Sequence, residues 1–257
     1  MPELPEVETV RRVLEMQIRG LAVESLTVGR PEVVAHPTAE AFCRGVVGRS
    51  FVRIDRRGKF LLFMLDDGGH IVLHLRMTGC LLLAPADAPP EKHTHLTFRL
   101  SGGRELRFSD VRRFGRVWLL EKDEADSYSG VEKLGPEPFS DLTADYLADR
   151  FGKRRKAVKE CLLEQSVIAG IGNIYADEIL FAAQISPSRA ACSLTGAEWA
   201  RLALSRSGFP ISSKRTRSRP RRIGMREGGN TATRRFCRFT ARRGSLARSA
   251  GSRCAAR

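Results

Sequence analysis

Pro2 and Glu3 place two groups side by side that can do chemistry together. Removal of Met1 would leave Pro2 with a free secondary amine, which attacks an aldehyde carbon and condenses to a charged iminium. The Glu3 carboxyl then lies within reach of whatever the amine attacks, where it can move protons. Lys59, behind Arg56-Arg57-Gly58, is in the ordinary case a solvated strand-end lysine, although its point charge also suits a phosphate. The run Lys153-Arg154-Arg155-Lys156 is by default a solvated face, yet between two helices it can grip a phosphate backbone. In Ile168-Ala169-Gly170-Ile171-Gly172-Asn173, two glycines permit close backbone approach ahead of a helix that Asn173 is expected to cap. Such a helix start offers unpaired N–H groups to an anion. Three further stretches look plain on composition alone: Met77 reads as a core methionine, Arg112 and Phe114 as a β-turn with one inward aromatic, and His93 as a surface loop residue.

Elements must position these groups. Pro5 suits the first turn of a helix, Glu6 and Glu8 favour its positive end, and Val7, Val10, Val13 and Leu14 form an apolar stripe. That helix would anchor a reactive terminus that otherwise frays. Strands are expected over 21–28, 46–54, 59–65, 71–75, 80–83, 95–100, 105–108 and 116–120, punctuated by Asp66-Asp67-Gly68-Gly69 and Ser101-Gly102-Gly103. Many short strands joined by tight turns argue for a β-sandwich with the helix beside it. The charged stretch 121–139, with Gly130, Gly135, Pro136 and Pro138, reads as a connector. Beyond it Ser140 and Asp141 are expected to cap a helix over 141–151, followed by helices over 156–165, 174–183 and 195–204. The expectation is an α+β protein: a catalytic β-sandwich over 1–126, a linker over 127–139, an all-α DNA-binding domain over 140–204 and a basic tail over 205–257.

The net charge of +15 over 257 residues invites a nucleic-acid reading, but its distribution matters more than its sum. Residues 1–204 hold 28 Lys/Arg and 28 Asp/Glu, whereas residues 205–257 hold 16 Lys/Arg and one acid, Glu227. The high pI is therefore a property of the tail. Cysteines stand at 43, 80, 161, 192, 237 and 254, with no Cys-x-x-Cys spacing, so neither a zinc site nor a redox pair can be read from them. Scattered thiols, no basic-then-apolar leader, and a longest apolar run of only Phe60 to Leu65 point to a cytoplasmic protein without membrane contact.

The opening Pro2-Glu3-Leu4-Pro5-Glu6-Val7-Glu8 resembles that of the formamidopyrimidine-DNA glycosylase family, which also includes endonuclease VIII. The continuation after Pro-Glu looks like the formamidopyrimidine branch, and the resemblance runs from Met1 to about Leu204. It implies a base-excision-repair glycosylase with AP lyase activity, acting on oxidised purines through a Pro2 Schiff base and β/δ-elimination. By the same resemblance Glu3 is a catalytic acid or proton carrier, and Lys59 assists elimination. Met77, Arg112 and Phe114 would enter the duplex and fill the gap left by an extruded nucleotide. Such a hole costs a few kcal/mol, and apolar wedges plus a guanidinium can refill it. Val111 stands where a proline is common, which alters turn rigidity more than chemistry. His93, Arg154 and Asn173 would contact the backbone of damaged double-stranded DNA, with the Asn173 stretch forming a helix–two-turn–helix, and the protein is expected to act as a monomer.

The family also carries a C-terminal four-cysteine zinc finger, and nothing after Leu204 matches it, so no cofactor is expected for the chain as written. The tail is rich in Arg, Ser, Gly and Ala and poor in large apolar residues. Read from the third base of each codon, Arg238 to Gly251 permit Val-Tyr-Gly and then Gly-Glu-Pro-Cys-x-Ile-Cys-Gly, which looks like the start of that finger. A frameshift near residue 204 would account for this; a natural basic tail adding nonspecific DNA affinity is the alternative. Two further readings stand beside the glycosylase: a DNA-binding pseudoenzyme crippled by loss of the finger, and an endonuclease VIII-like preference for oxidised pyrimidines.

Overall fold

Glu3 in extended backbone, Pro5 in the first turn and the buried Leu4, Val7, Leu14 and Ile18 define helix α1 (Leu4–Ile18). The computed structural model describes residues 1–138 and 142–205, all within one compact unit. After α1 come β1 (Val23–Val28), β2 (Val34–His36), α2 (Ala39–Val46), β3 (Phe51–Arg57), β4 (Phe60–Leu65), β5 (His70–His74), β6 (Gly79–Pro85), β7 (Thr94–Leu100), β8 (Arg104–Asp110) and β9 (Arg116–Leu120). They form two sheets, ordered β1-β7-β8-β6 and β2-β9-β5-β4-β3, antiparallel except for the β2–β9 pair. One core joins the two: Phe98, Leu106 and Phe108 of the first sheet pack with Ile54, Phe63, Ile71 and Leu73 of the second. Phe51 and Phe98 meet across it edge to face at 6.4 Å.

The second sheet is covered on both sides. Phe60, Val72, Trp118 and Leu120 on its outer face form a separate cluster under Val131 and Leu134 of the connector. That cover explains why β5 lacks the alternation of a half-buried strand. The all-helical part follows with α3 (Ala144–Phe151), α4 (Val158–Leu162), α5 (Asn173–Ala183) and α6 (Gly196–Ser205) around Leu147, Phe151, Ile179, Trp199 and Leu202.

Several expectations need correction. The stretch 46–54 is not one strand: α2 runs to Val46 and β3 begins only at Phe51. Helix α3 starts at Ala144, where Thr143 caps by accepting from the Tyr146 N–H at 3.1 Å. The caps expected at Ser140 and Asp141 lie outside the described residues. Helix α5 is capped by Gly172 in extended backbone, so Asn173 is its first helical residue and not its cap. An anion supplied by the chain itself, described next, takes the role that the Asn173 side chain was expected to fill.

Candidate functional site

Glu3 is 2% exposed, and its carboxylate lies against the start of α5. Its two oxygens accept from Gly172 N (2.8 Å), Ile174 N (2.9 Å) and Tyr175 N (3.2 Å). These are the orphan donors of a helix N-terminus, which the sequence pattern assigns to a phosphate. The approach leaves no room for side chains. A Cβ on Gly172 would sit 2.4 Å from Glu3 Cδ, and one on Gly170, at φ +94°, would sit 2.4 Å from Leu4 Cδ1. Leu4 N donates to Gly170 O at 3.2 Å and completes the seat. Pro2, one residue ahead of this anchor, is half-buried.

Lys59 reaches the same segment. Its ammonium, on a residue 6% exposed, donates to Ile171 O at 2.8 Å. Burial lowers its pKa, and the Glu3 carboxylate opposes that shift. The structure therefore brings Glu3 and Lys59 together on residues 171–175. Glu6 adds a second carboxyl, accepting from Glu3 N at 3.0 Å and from the Tyr175 hydroxyl at 3.3 Å, and burial raises its pKa.

The turn that carries Lys59 is clamped to the connector. Arg56 donates both terminal nitrogens to Glu137 at 2.8 Å, and Gly58 N donates to Glu137 Oε1 at 2.7 Å. Arg56 Nε also reaches Glu8 at 3.0 Å. Burial pushes the Glu8 carboxyl up, but hydrogen bonds from Arg11, Arg12 and Arg56 outweigh it and hold it at about 2. Gln165 braces the other side: its amide donates to Ile171 O at 2.8 Å and its carbonyl accepts from Gly170 N at 3.0 Å. Sequence reading missed Glu6, Arg56, Glu137, Gln165 and Tyr175. Pro136 and Pro138 do flank Glu137, but nothing local names a partner about 80 positions away in the chain.

Met77 and Phe114 are exposed, at 44% and 47%, where large apolar side chains need a reason. The Arg112 guanidinium lies over the Phe114 ring, 4.9 Å from its centre, and Arg112 N donates to Thr78 Oγ1 at 3.1 Å, so the Met77 loop and the Arg112–Phe114 turn adjoin. Met77 is thus not the core residue that composition suggests. His93 occupies a left-handed position at φ +71° in the loop before β7. Arg154 pairs with Glu164 and lies over the Phe151 ring, while Lys153, Arg155 and Lys156 are exposed. Asn173 is exposed at the first turn of α5. Among the described residues no group of three or more His, Cys, Asp or Glu side chains could hold a metal ion, and the zinc-finger question falls on residues outside them. No helix among them is long and apolar enough to cross a membrane.

Residues 1–117 match the family profile of the formamidopyrimidine-DNA glycosylase N-terminal domain, and residues 134–206 that of its H2TH domain. The formamidopyrimidine-DNA glycosylase of Moorella thermoacetica is 48% identical over 203 residues, covering 79% of this chain and 74% of that one. That of Desulforamulus reducens is 47% identical over 200 residues, covering 77% and 72%. The chain belongs to the formamidopyrimidine-DNA glycosylase family. Among solved family members, Lactococcus lactis Fpg in complex with abasic-site DNA is 39% identical with a TM-score of 0.75, covering 79% of this chain and 75% of that one. A MutM complex with carbocyclic 8-oxo-G DNA is 40% identical at the same TM-score, covering 80% and 76%. Membership makes it a base-excision-repair DNA glycosylase of a glycosylase/AP lyase family.

Proposed function

We propose that this chain excises oxidised purines, 8-oxoguanine and formamidopyrimidines, from double-stranded DNA through the amine of Pro2. The observation that carries the reading is Glu3, the residue after Pro2, held by three N–H donors at the start of α5, with Lys59 buried on the same segment. Solved relatives in complex with Fapy-dG DNA and with carbocyclic 8-oxo-G DNA support this substrate class. The Pro2 nitrogen attacks C1′ of the damaged nucleotide, the bond from C1′ to the base breaks, and the base leaves with a proton. The sugar ring opens with Glu3 carrying protons, which leaves an iminium between Pro2 and C1′. Loss of a C2′ proton expels the 3′ phosphate with help from Lys59, whose ammonium burial makes readier to give up its proton. A second elimination releases the 5′ phosphate.

In this reading residues 1–126 form the catalytic domain, 127–139 the linker and 140–204 the DNA-binding helices, and the chain acts as a cytoplasmic monomer. His93, Arg112, Arg154 and Asn173 hold the backbone, while Met77, Arg112 and Phe114 fill the vacated stack. No step passes through zinc.

Borohydride reduction on an 8-oxoguanine duplex, followed by peptide mapping, tests the reading. The expected product is a stable protein–DNA adduct on the peptide that begins with Pro2. An adduct on Lys59, or cleavage that proceeds with Met1 retained, sinks it. Thymine-glycol duplexes run in parallel are expected to be the poorer substrate, and a reversed preference indicates the endonuclease VIII-like alternative.

A further inference from the structure

Asp110 closes β8 at 1% exposure, and its carboxylate is met by neutral donors. The Thr78 hydroxyl and Arg112 N (3.1 Å) donate to Oδ1, and Gly115 N (2.8 Å) donates to Oδ2. Its backbone reaches a third loop: Asp110 N donates to His93 O at 3.1 Å, and Asp110 O accepts from His95 Nε2 at 2.7 Å. One residue thus joins the Met77 loop, the His93 loop and the Arg112–Phe114 turn.

Each of those three loops also holds a bulky residue in the left-handed region: Arg76 at φ +55°, His93 at +71° and Arg113 at +62°. Such conformations cost about 1–3 kcal/mol each and persist only where the surroundings over-determine them. The bonds that converge on Asp110 supply that constraint.

We propose that Asp110 is a positioning residue that makes the three loops move into a duplex as one part, with Thr78 as its link to Met77. The proposal deepens the reading above, in which Met77, Arg112 and Phe114 fill the vacated stack. It places Asp110 in base extrusion and not in bond breaking at C1′.

The test uses the full chain carrying Thr78→Val or Asp110→Asn. Valine removes the link between two loops and leaves the other Asp110 bonds in place. Asparagine presents an amide N–H₂ to at least one backbone N–H that requires an acceptor. Excision of 8-oxoguanine from duplex DNA should fall about tenfold or more in each, the size expected when a buried charge-assisted hydrogen bond is lost from the productive complex. Strand cleavage at a preformed abasic site in single-stranded DNA, which needs no extrusion, should stay within about twofold. The losses caused by Met77→Ala and Phe114→Ala should be non-additive in the unaltered chain and additive in the Thr78→Val background.

Equal losses on the two substrates, or undiminished excision in both variants, overturn the proposal. If Asp110→Asn does not fold, Thr78→Val decides alone. Absence of a borohydride adduct with the unaltered chain overturns the Pro2 reading and this one with it, whereas an adduct accompanied by either of the first two results overturns this one only.

Discussion

At the scale of single residues, Glu3 does two jobs with one carboxylate: it accepts the free N–H groups at the start of α5, and its negative charge works against the burial that weakens the Lys59 ammonium. Glu3→Gln removes that support, so Lys59 should deprotonate at lower pH. The pH profile of strand cleavage at a preformed abasic site should shift toward acid, while base excision falls about 10²-fold or more. An unmoved profile would separate the two residues. His74 makes a second prediction, this one on stability. Burial, and then the charges of Arg76 and Lys59, lower its pKa from 6.5 to about 3. The unfolded chain takes up the proton near pH 6.5 and the folded one only near 3, so stability is fully present above 6.5 and is lost as pH falls. Between pH 6.5 and 4.5 the loss should be about 2 kcal/mol from this residue. His70, also lowered by burial, adds in the same sense. His74→Asn keeps an acceptor for Arg76 N and should flatten denaturant-measured stability over that window. Pro2, Glu3 and Lys59 are named from residue type and family motifs, and the structure brings Glu3 and Lys59 to one segment. Glu6, Gln165 and Tyr175 were not legible in the sequence, because their roles come from contacts that no local spacing encodes.

At the scale of elements, the turn between β3 and β4 carries Lys59 and depends on the connector for its shape. Glu137 takes both Arg56 nitrogens and Gly58 N, and Arg57 adds bonds to Leu134 O (3.1 Å) and Gly135 O (2.6 Å). Glu137→Ala leaves Arg56 half-paired with Glu8 and should cost about 3 kcal/mol, toward the low end for breaking a buried pair. Thermal melting measures the loss, and a larger fall in abasic-site cleavage than in DNA affinity would show that Lys59 has lost its position. Most strands could be read from alternation and turn residues, and α5 and α6 from helical periodicity. The short β2 and α2 could not: β2 has three residues and takes its identity from parallel pairing with β9. Helix α2 buries only Phe42 and Val46 and contains Gly45, too little for a periodic signal. The Asn173 cap was misread because Asn is a favoured cap, and the true cap is a glycine chosen for the closeness of Glu3.

At the scale of the molecule, formal charge is unevenly spread along the chain. Residues 1–204 are balanced, and the excess of +15 belongs to residues 205–257. Nonspecific duplex binding by the full chain should therefore weaken steeply with salt, and a chain ending at Ser205 should show a slope shallower by several units. Binding titrations over a salt series check this, with melting of the shortened chain as the control for folding. Equal slopes would place the phosphate contacts within residues 1–205. The permitted Cys-x-x-Cys in the alternative frame supports a frame change near codon 204. The nucleotide sequence across codons 200–257 tests it, and synonymous codons that forbid that peptide sink it.

The seat of Glu3 and Leu4 at residues 170–175 also sets an order of events during synthesis. A ribosome has to make about two thirds of the chain before that seat exists, since a contact so distant in sequence cannot form earlier. Throughout that interval the leading residues stay open to the peptidase that trims initiator methionine. Met1 is still exposed at 47% once α5 has docked, so trimming of the initiator methionine is open to the nascent and the folded chain alike.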